Sequence, residues 1–336
     1  MSNSIFDQLG FTTVELGEGE EIMSVEEGMT VVPIRIQGNN DSPRNLSRNV
    51  ARPERMRFRG TREGYGRMTF ENTDPDHDVI VPANTMVLSD QSAQDHATSE
   101  VGIVKKSSPK TFDNCCCVQQ SQGGYLTADH DGHHYDVLPY QLRKALLNAT
   151  LRRNTEYGKL WKHIDTFLKP IPNISHSGGH MEYFFKPYAK DLEDFAAQFE
   201  PVENQIGGVV LFGNKVVGVE IMPSVEHWEF YWKWLIRGCY GAQMMQYVLS
   251  GSIKKSQLEL PRLSGDFNDV RRIIANYMES LKLQIMKALT QHTFKGSIGT
   301  GKELLKPVLL KSTKGDAGGD MIIENTQSPV YLSLVL

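Results

Sequence analysis

The 336-residue chain has little cysteine: four residues, three of them adjacent at Cys115, Cys116 and Cys117. Neighbours on an extended strand point to opposite faces, so this is no disulfide framework and reduced thiols are expected. The chain also lacks any run of about 18 apolar residues, which argues against a membrane-spanning helix. Its start, MSNSIFDQLG, lacks the basic-then-apolar pattern of a secretory leader. A cytoplasmic globular protein with no membrane partner is the expectation. GxSxG, GxGxxG after a strand, HExxH, CxxC and zinc-finger spacings are absent too. That disfavours an enzyme with a common signature and leaves turnover open, with no catalytic residue, metal ligand or cofactor assigned. A formal net charge of −4 argues against a dedicated nucleic-acid binder.

The clearest positive signal is the stretch Asn204–Met245. Two apolar runs, Ile206–Phe212 and Lys215–Met222, flank Gly213-Asn214, a pair suited to a tight hairpin turn. Pro223 stops the second strand, Ser224 can cap a helix, and Glu226 sits in its first turn where the helix dipole favours negative charge. Trp228, Tyr231, Trp232, Leu235, Ile236 and Cys239 then recur on one continuous helical face, which predicts core.

Before this unit, Met29–Ile36 reads as a strand whose Pro33 suggests an edge position. From Asn39 to Met68 there are eight arginines against three acidic residues, a composition that reads as a loop or partly ordered insertion. It is either a solvated basic loop or a site for phosphate, whose geometry guanidinium forks suit. Short β-type runs from Arg67 to Leu126 then predict an antiparallel sheet, with a sandwich or barrel-like unit as its form. Helical periods take over between Leu138 and Leu168, recur around Leu192–Phe199, and run through Asp266–Leu289 with Asp266 or Asn268 as cap. Met321–Glu324 and Val330–Leu336 close the chain as strands. The fold class is therefore α+β: a β-rich antiparallel first half, residues 1–137 with the Arg-rich stretch 39–68, and a mixed second half, 138–336, around the unit 204–247. One continuous domain is the alternative to two.

Three constellations invite chemistry. Gly296 to Lys302 fits GxxxxGK, but the preceding segment is helical and Glu303 replaces the magnesium-ligating hydroxyl, so it reads as a helix C-terminus and a flexible turn. Asp129–Asp136 holds three histidines and three aspartates, a metal site only if consecutive residues converge, and otherwise a polar turn. The cysteine triplet offers a thiol without an evident charge partner.

Three segments together resemble one family. Phe70–His96 is similar to a strand, turn and strand leading to an amide-rich signature, Cys117–Tyr125 (CVQQSQGGY) is similar to Cys-Val-Glu-x-Gly-Arg-Trp, and Gln205–Tyr240 is similar to a Gly-Val-Val strand and helix. The family is that of the ARG-and-rhodanese-phosphatase-superfamily-associated proteins, named for gene neighbourhoods that include ADP-ribosylglycohydrolases, and the resemblance covers about residues 68–336. His96 stands where the family has Arg, Gln119 where it has Glu, and Gly-Gly-Tyr replaces Gly-Arg-Trp. Those departures favour binding over turnover. The resemblance implies a link to ADP-ribose or NAD metabolism, including phage-host conflict. The expected function is binding of a small phosphorylated nucleotide of the ADP-ribose type. Gln91, Gln94, Asp95, His96, Gln119 and Tyr125 would face sugar and base, and Arg55, Arg57 and Arg59 the phosphates. The alternatives are a hydrolase acting on the same nucleotides and a protein-interaction module blocking a host factor; a homo-oligomer is left open.

Overall fold

The computed structural model describes residues 6, 9–18, 21–25, 28–37, 45–60, 64–89, 95–120, 133–174, 178–252, 267–298, 303–324 and 328–336. Three strands come first: β1 (Val14–Leu16), β2 (Met23–Ser24) and β3 (Met29–Ile36). The chain then lays down β4 (Met56–Gly60), β5 (Met68–Asn72), β6 (Val79–Val81), β7 (Thr85–Ser89), β8 (His96–Ala97), β9 (Gly102–Val104), β10 (Pro109–Phe112), β11 (Cys116–Cys117) and β12 (His133–Val137). They pair as three small sheets, ordered β10-β5-β4, β11-β8-β7-β12 and β6-β9, rather than as a sandwich or barrel.

Helices α1 (Tyr140–Ala145), α2 (Ala149–Arg153), α3 (Trp161–Leu168), α4 (Glu182–Phe185) and α5 (Ala189–Ala196) follow, then the hairpin β13 (Gln205–Phe212) and β14 (Lys215–Ile221). Next come α6 (Val225–Lys233), a π-helical stretch Trp234–Gly241, α7 (Ala242–Leu249) and α8 (Phe267–Thr290), and last β15 (Phe294–Ile298), β16 (Leu305–Ser312), β17 (Gly318–Glu324) and β18 (Pro329–Val335). The fold is α+β.

Strands from both ends of the chain form a nine-stranded antiparallel sheet ordered β1-β3-β13-β14-β18-β17-β16-β15, with β2 also on β3. Its inner strands are apolar on both faces because both are covered. Val209, Leu211, Val219 and Leu332 pack with Leu281, Ile285 and Leu289 of α8, whereas Val210, Val217 and Tyr331 pack with Trp228, Trp232 and Tyr240. A third core joins Met86, Ala97 and Cys116 to Leu142, Ile164 and Phe184 of the helices.

The opening unit forms as its sequence reads. Gly213 adopts φ +55°, Ser224 caps α6 by accepting from the His227 N–H, and all six residues of the helical face are buried. Pro33, in contrast, lies inside the sheet. β2 pairs with Thr30 and Val31 and β1 with Ile34 to Ile36, so the proline falls in the gap between two short partners, where no strand asks for its missing N–H. The Arg-rich stretch contains β4, whose Met56 and Phe58 are buried while Arg57 and Arg59 are exposed. Asn268 lies within α8 rather than capping it, and Asp266 is outside the described residues.

One ion pair ties α1 to the sheet. Arg143 and Glu220, both buried, meet at 2.8 Å. Arg143 also reaches Asn84, Cys239, Tyr240 and Ser333.

Candidate functional site

The two-residue strand β8 positions the centre of the site. It lies between β7 and β11, with His96 opposite Val87 on one side and Cys117 on the other. Asp95 is buried; its carboxylate accepts from the Ser89 N–H at 2.8 Å and its own N–H donates to Gln119 Oε1 at 3.3 Å. The Asp95 carbonyl accepts from the Val118 N–H at 3.0 Å, and the Cys117 thiol donates to the Gln119 carbonyl at 2.8 Å. His96 Nε2 accepts from the Gly66 N–H at 2.9 Å, which assigns a neutral ring with its proton on Nδ1. Asp95, His96 and Gln119 therefore come together. Asp95 and Gln119 each spend a side-chain oxygen on backbone that borders segment 90–94, and His96 spends its Nε2 on Gly66. Gln91 and Gln94 lie in that segment and Tyr125 in segment 121–132, outside the described residues.

Aromatic rings complete the site, and sequence reasoning gave most of them no role. The Met181 N–H donates to the Val118 carbonyl at 2.9 Å, bringing the loop around Gly179 over α3. A Cβ on Gly179 or on Gly158 would stand 2.8 Å from the Trp161 ring, so both glycines are required for the close approach. The Trp161 indole nitrogen is buried and finds no acceptor among the described residues. Tyr65 and Tyr157, 38% and 39% exposed, extend the row, with centroids 5.5 Å apart and Tyr157 to Trp161 5.7 Å apart. His180 stacks on Tyr183 at 5.1 Å, and burial pulls its imidazole below the usual value. Gly66 links the row to His96, since its N–H meets the imidazole and its Cα side faces Tyr157.

The three arginines are spread along a hairpin. β4 pairs with β5 from Met56 opposite Asn72 to Gly60 opposite Thr69, so Gly66 and His96 lie toward the Arg59 end. Arg59 pairs with Glu71 at 2.6 Å, Arg57 stands opposite Glu71 in the ladder, and Arg55 lies 4.0 Å from Asp74 at the far end. Alternation sets Arg57 and Arg59 on the face opposite Phe58, which packs on Phe70 and His133. Among the described residues the ion pairs of these arginines go to Glu71 and Asp74 rather than to Asp95. The phosphate-binding part of the expectation thus has one arginine, Arg59, near the tip that meets His96, and two further back.

The described residues of the other sequence candidates take places in strands and the core. None of the four cysteines forms a disulfide and all are buried; burial pushes the thiols of Cys115 and Cys116 up and that of Cys239 up to about 12. Of the Asp129–Asp136 cluster, His133 to Asp136 belong to β12, where Asp136 takes a two-pronged ion pair from Arg237 with both bonds 3.0 Å. Asp129 to Gly132 lie outside the described residues, among which no group of three His, Cys, Asp or Glu is set to hold a metal ion. Gly296 of the GxxxxGK run lies in β15, not at a helix end; residues 299–302 of the run are outside the described residues, and the next described element is the strand β16. Among the described residues no helix is long and apolar enough to cross a membrane.

Comparison with curated proteins and with solved structures finds no match. The sequence profile of the ARG and Rhodanese-Phosphatase-superfamily-associated Protein domain matches residues 19–298. That span takes in the Arg-rich stretch, so the family's region begins well before residue 68, and it ends at the last residue of β15. Because the match covers well over half of the chain, the protein belongs to the ARG and Rhodanese-Phosphatase-superfamily-associated family.

Proposed function

We propose that the chain binds a small phosphorylated nucleotide of the ADP-ribose type on the face where Asp95, His96 and Gln119 meet the row Tyr65, Tyr157 and Trp161. The aromatic row carries the reading. Half-exposed rings offer a base a stacking surface worth about 1–3 kcal/mol, and backbone and amide groups beside them suit ribose hydroxyls. The gene neighbourhoods with ADP-ribosylglycohydrolases that the family resemblance implies support this ligand class. Gln91, Gln94 and Tyr125 are proposed to contact the sugar and base, with Arg59 nearest to the phosphates and Arg57 and Arg55 further along the hairpin. Binding is favoured over hydrolysis because His96 Nε2 already accepts a backbone proton and Asp95 is engaged on both sides.

Titration calorimetry with ADP-ribose tests the reading. Tyr157→Ala, an exposed truncation, should weaken binding by about tenfold or more, in line with the stacking energy, while chromatography of the incubated nucleotide shows it unconsumed. Consumption of ADP-ribose would move the protein to the hydrolase class. No heat with ADP-ribose, ADP or NAD, or an affinity indifferent to Tyr157, would remove the nucleotide altogether and leave the interaction module.

A further inference from the structure

The hairpin β15-β16 carries an electrostatic feature that the nucleotide reading does not use. Lys295 and Lys311 are direct partners in the antiparallel ladder, with Ser297 opposite Leu309 on the same face. Like charges in that position repel. Arg153, the last residue of α2, joins them around a hollow of about 350 Å³ whose rim also includes Ser297 and Thr313 and contains no carboxylate. None of the three cations has an acidic partner within ion-pair distance among the described residues.

A plain stabilising role covers part of this. β15 is the edge of the large sheet, and a lysine on an edge strand deters pairing with another chain. A basic residue in the last turn of α2 also suits the helix dipole. Neither argument covers Lys311. It sits on an inner strand, half-buried, directly opposite another lysine, and its own neighbour on β17 is Gly318. Asp320, opposite Leu309 on that face, is already paired with Arg152, which also draws Glu100 to 3.8 Å. Asp320 and Glu100 are thus engaged by Arg152, and Glu303, which borders the adjoining cavity with Ser297 and Leu309, forms no ion pair with Arg153, Lys295 or Lys311 among the described residues.

We infer that this hollow is a binding site for the phosphate groups of a small phosphorylated ligand. Two ammonium groups a ladder spacing apart, a guanidinium that can bind two oxygens at once, and the Ser297 and Thr313 hydroxyls match the charge and acceptor pattern of a diphosphate. A bound anion also relieves the repulsion between the two lysines. The hollow shares no residue with the Asp95–Trp161 face, so this inference stands or falls separately from the nucleotide reading.

Thermal unfolding with inorganic pyrophosphate as the probe decides it, against sodium chloride at equal ionic strength. Pyrophosphate should raise the midpoint of the wild-type protein well beyond the chloride control. Lys295→Ala and Lys311→Met should each weaken pyrophosphate affinity about tenfold or more, since each removes a charge-assisted contact. Without pyrophosphate their midpoints should equal or exceed that of wild type, because one member of a repelling pair is gone. A shift no larger than with chloride, or one that both variants retain, overturns the site. A short single-stranded oligonucleotide that binds more tightly than pyrophosphate and is lost in the same variants overturns its assignment to a small ligand.

Discussion

At the scale of single residues, His227 shows how one buried side chain sets a pH dependence. Its Nδ1 lies 2.8 Å from the Ser224 hydroxyl and its Nε2 3.0 Å from the Ala51 carbonyl, so the neutral ring donates from Nε2 and accepts at Nδ1. Burial lowers its pKa to about 4, against 6.5 for a free imidazole. Above about pH 6.5 the ring is neutral in both folded and unfolded chains. As pH falls toward 4 only the unfolded chain takes up the proton, so stability drops across that window, by roughly 3 kcal/mol in all. Asp136, raised to about 7 chiefly by burial, runs in the opposite sense over the same range. The effect is therefore read as a difference: urea unfolding at about pH 7 and about pH 4.5 should show a larger acid loss in wild type than in His227→Gln. Equal losses would refute the neutral buried ring. Ser224 was legible in the sequence as a cap, and Asp95, His96 and Gln119 were grouped through the family resemblance. The row Tyr65, Tyr157 and Trp161 was not legible, because its members come from a hairpin end and a helix start that share no local pattern. Only the approach of Gly66 to Tyr157, and of Gly158 to Trp161, brings them together.

At the scale of elements, the sequence spoke clearly where a periodic signal met its punctuation and poorly where composition hid it. The hairpin β13-β14 and helix α6 have both a turn pair and a cap. In β4 the alternation Met-Arg-Phe-Arg-Gly is a strand pattern, but arginine density made it look like a loop. β16 was obscured by Pro307, a residue that breaks strand patterns because it has no N–H to give to a ladder. The π-helical stretch Trp234–Gly241 left no signal either, since its buried residues continue the helical face of α6 to Cys239. Its wider turn is coupled to a close approach: a Cβ on Gly238 would lie 2.7 Å from Asp136 Oδ1 and 2.8 Å from the Val137 carbonyl oxygen. Backbone cannot yield as a side-chain tip can. Gly238→Ala should therefore destabilise the protein by about 1–3 kcal/mol through overpacking, against the small gain that Ala gives in an open helix. Chemical denaturation measures it, and a neutral or stabilised variant would show that the helix does not need β12 so close.

At the scale of the whole molecule, the sheet depends on its last strand. β18 sits between β14 and β17, in ladder contact with both, although it follows β14 by more than a hundred residues and lies beyond the region matched by the family profile. Its strand character was legible, since Val330 to Leu336 is apolar apart from Ser333. Its central place was not, because strand order is set by which neighbours cover both faces. Val330, Tyr331, Leu332, Leu334 and Val335 are all buried, divided between the cores on the two sides of the sheet. The Leu336 N–H donates to the Val217 carbonyl at 3.0 Å, and its carbonyl accepts from Tyr140 of α1. Burying each large apolar side chain contributes about 1.5–3 kcal/mol, so five of them together rival the roughly 5–15 kcal/mol by which a typical domain is stable. Truncation after Glu324 would also open two ladder edges in the middle of the sheet. The truncated chain should show no cooperative unfolding transition in urea and should expose enough apolar surface to bind a hydrophobic dye. Should it instead unfold cooperatively with a midpoint near that of the full chain, the sheet must close without β18, with β14 pairing directly to β17.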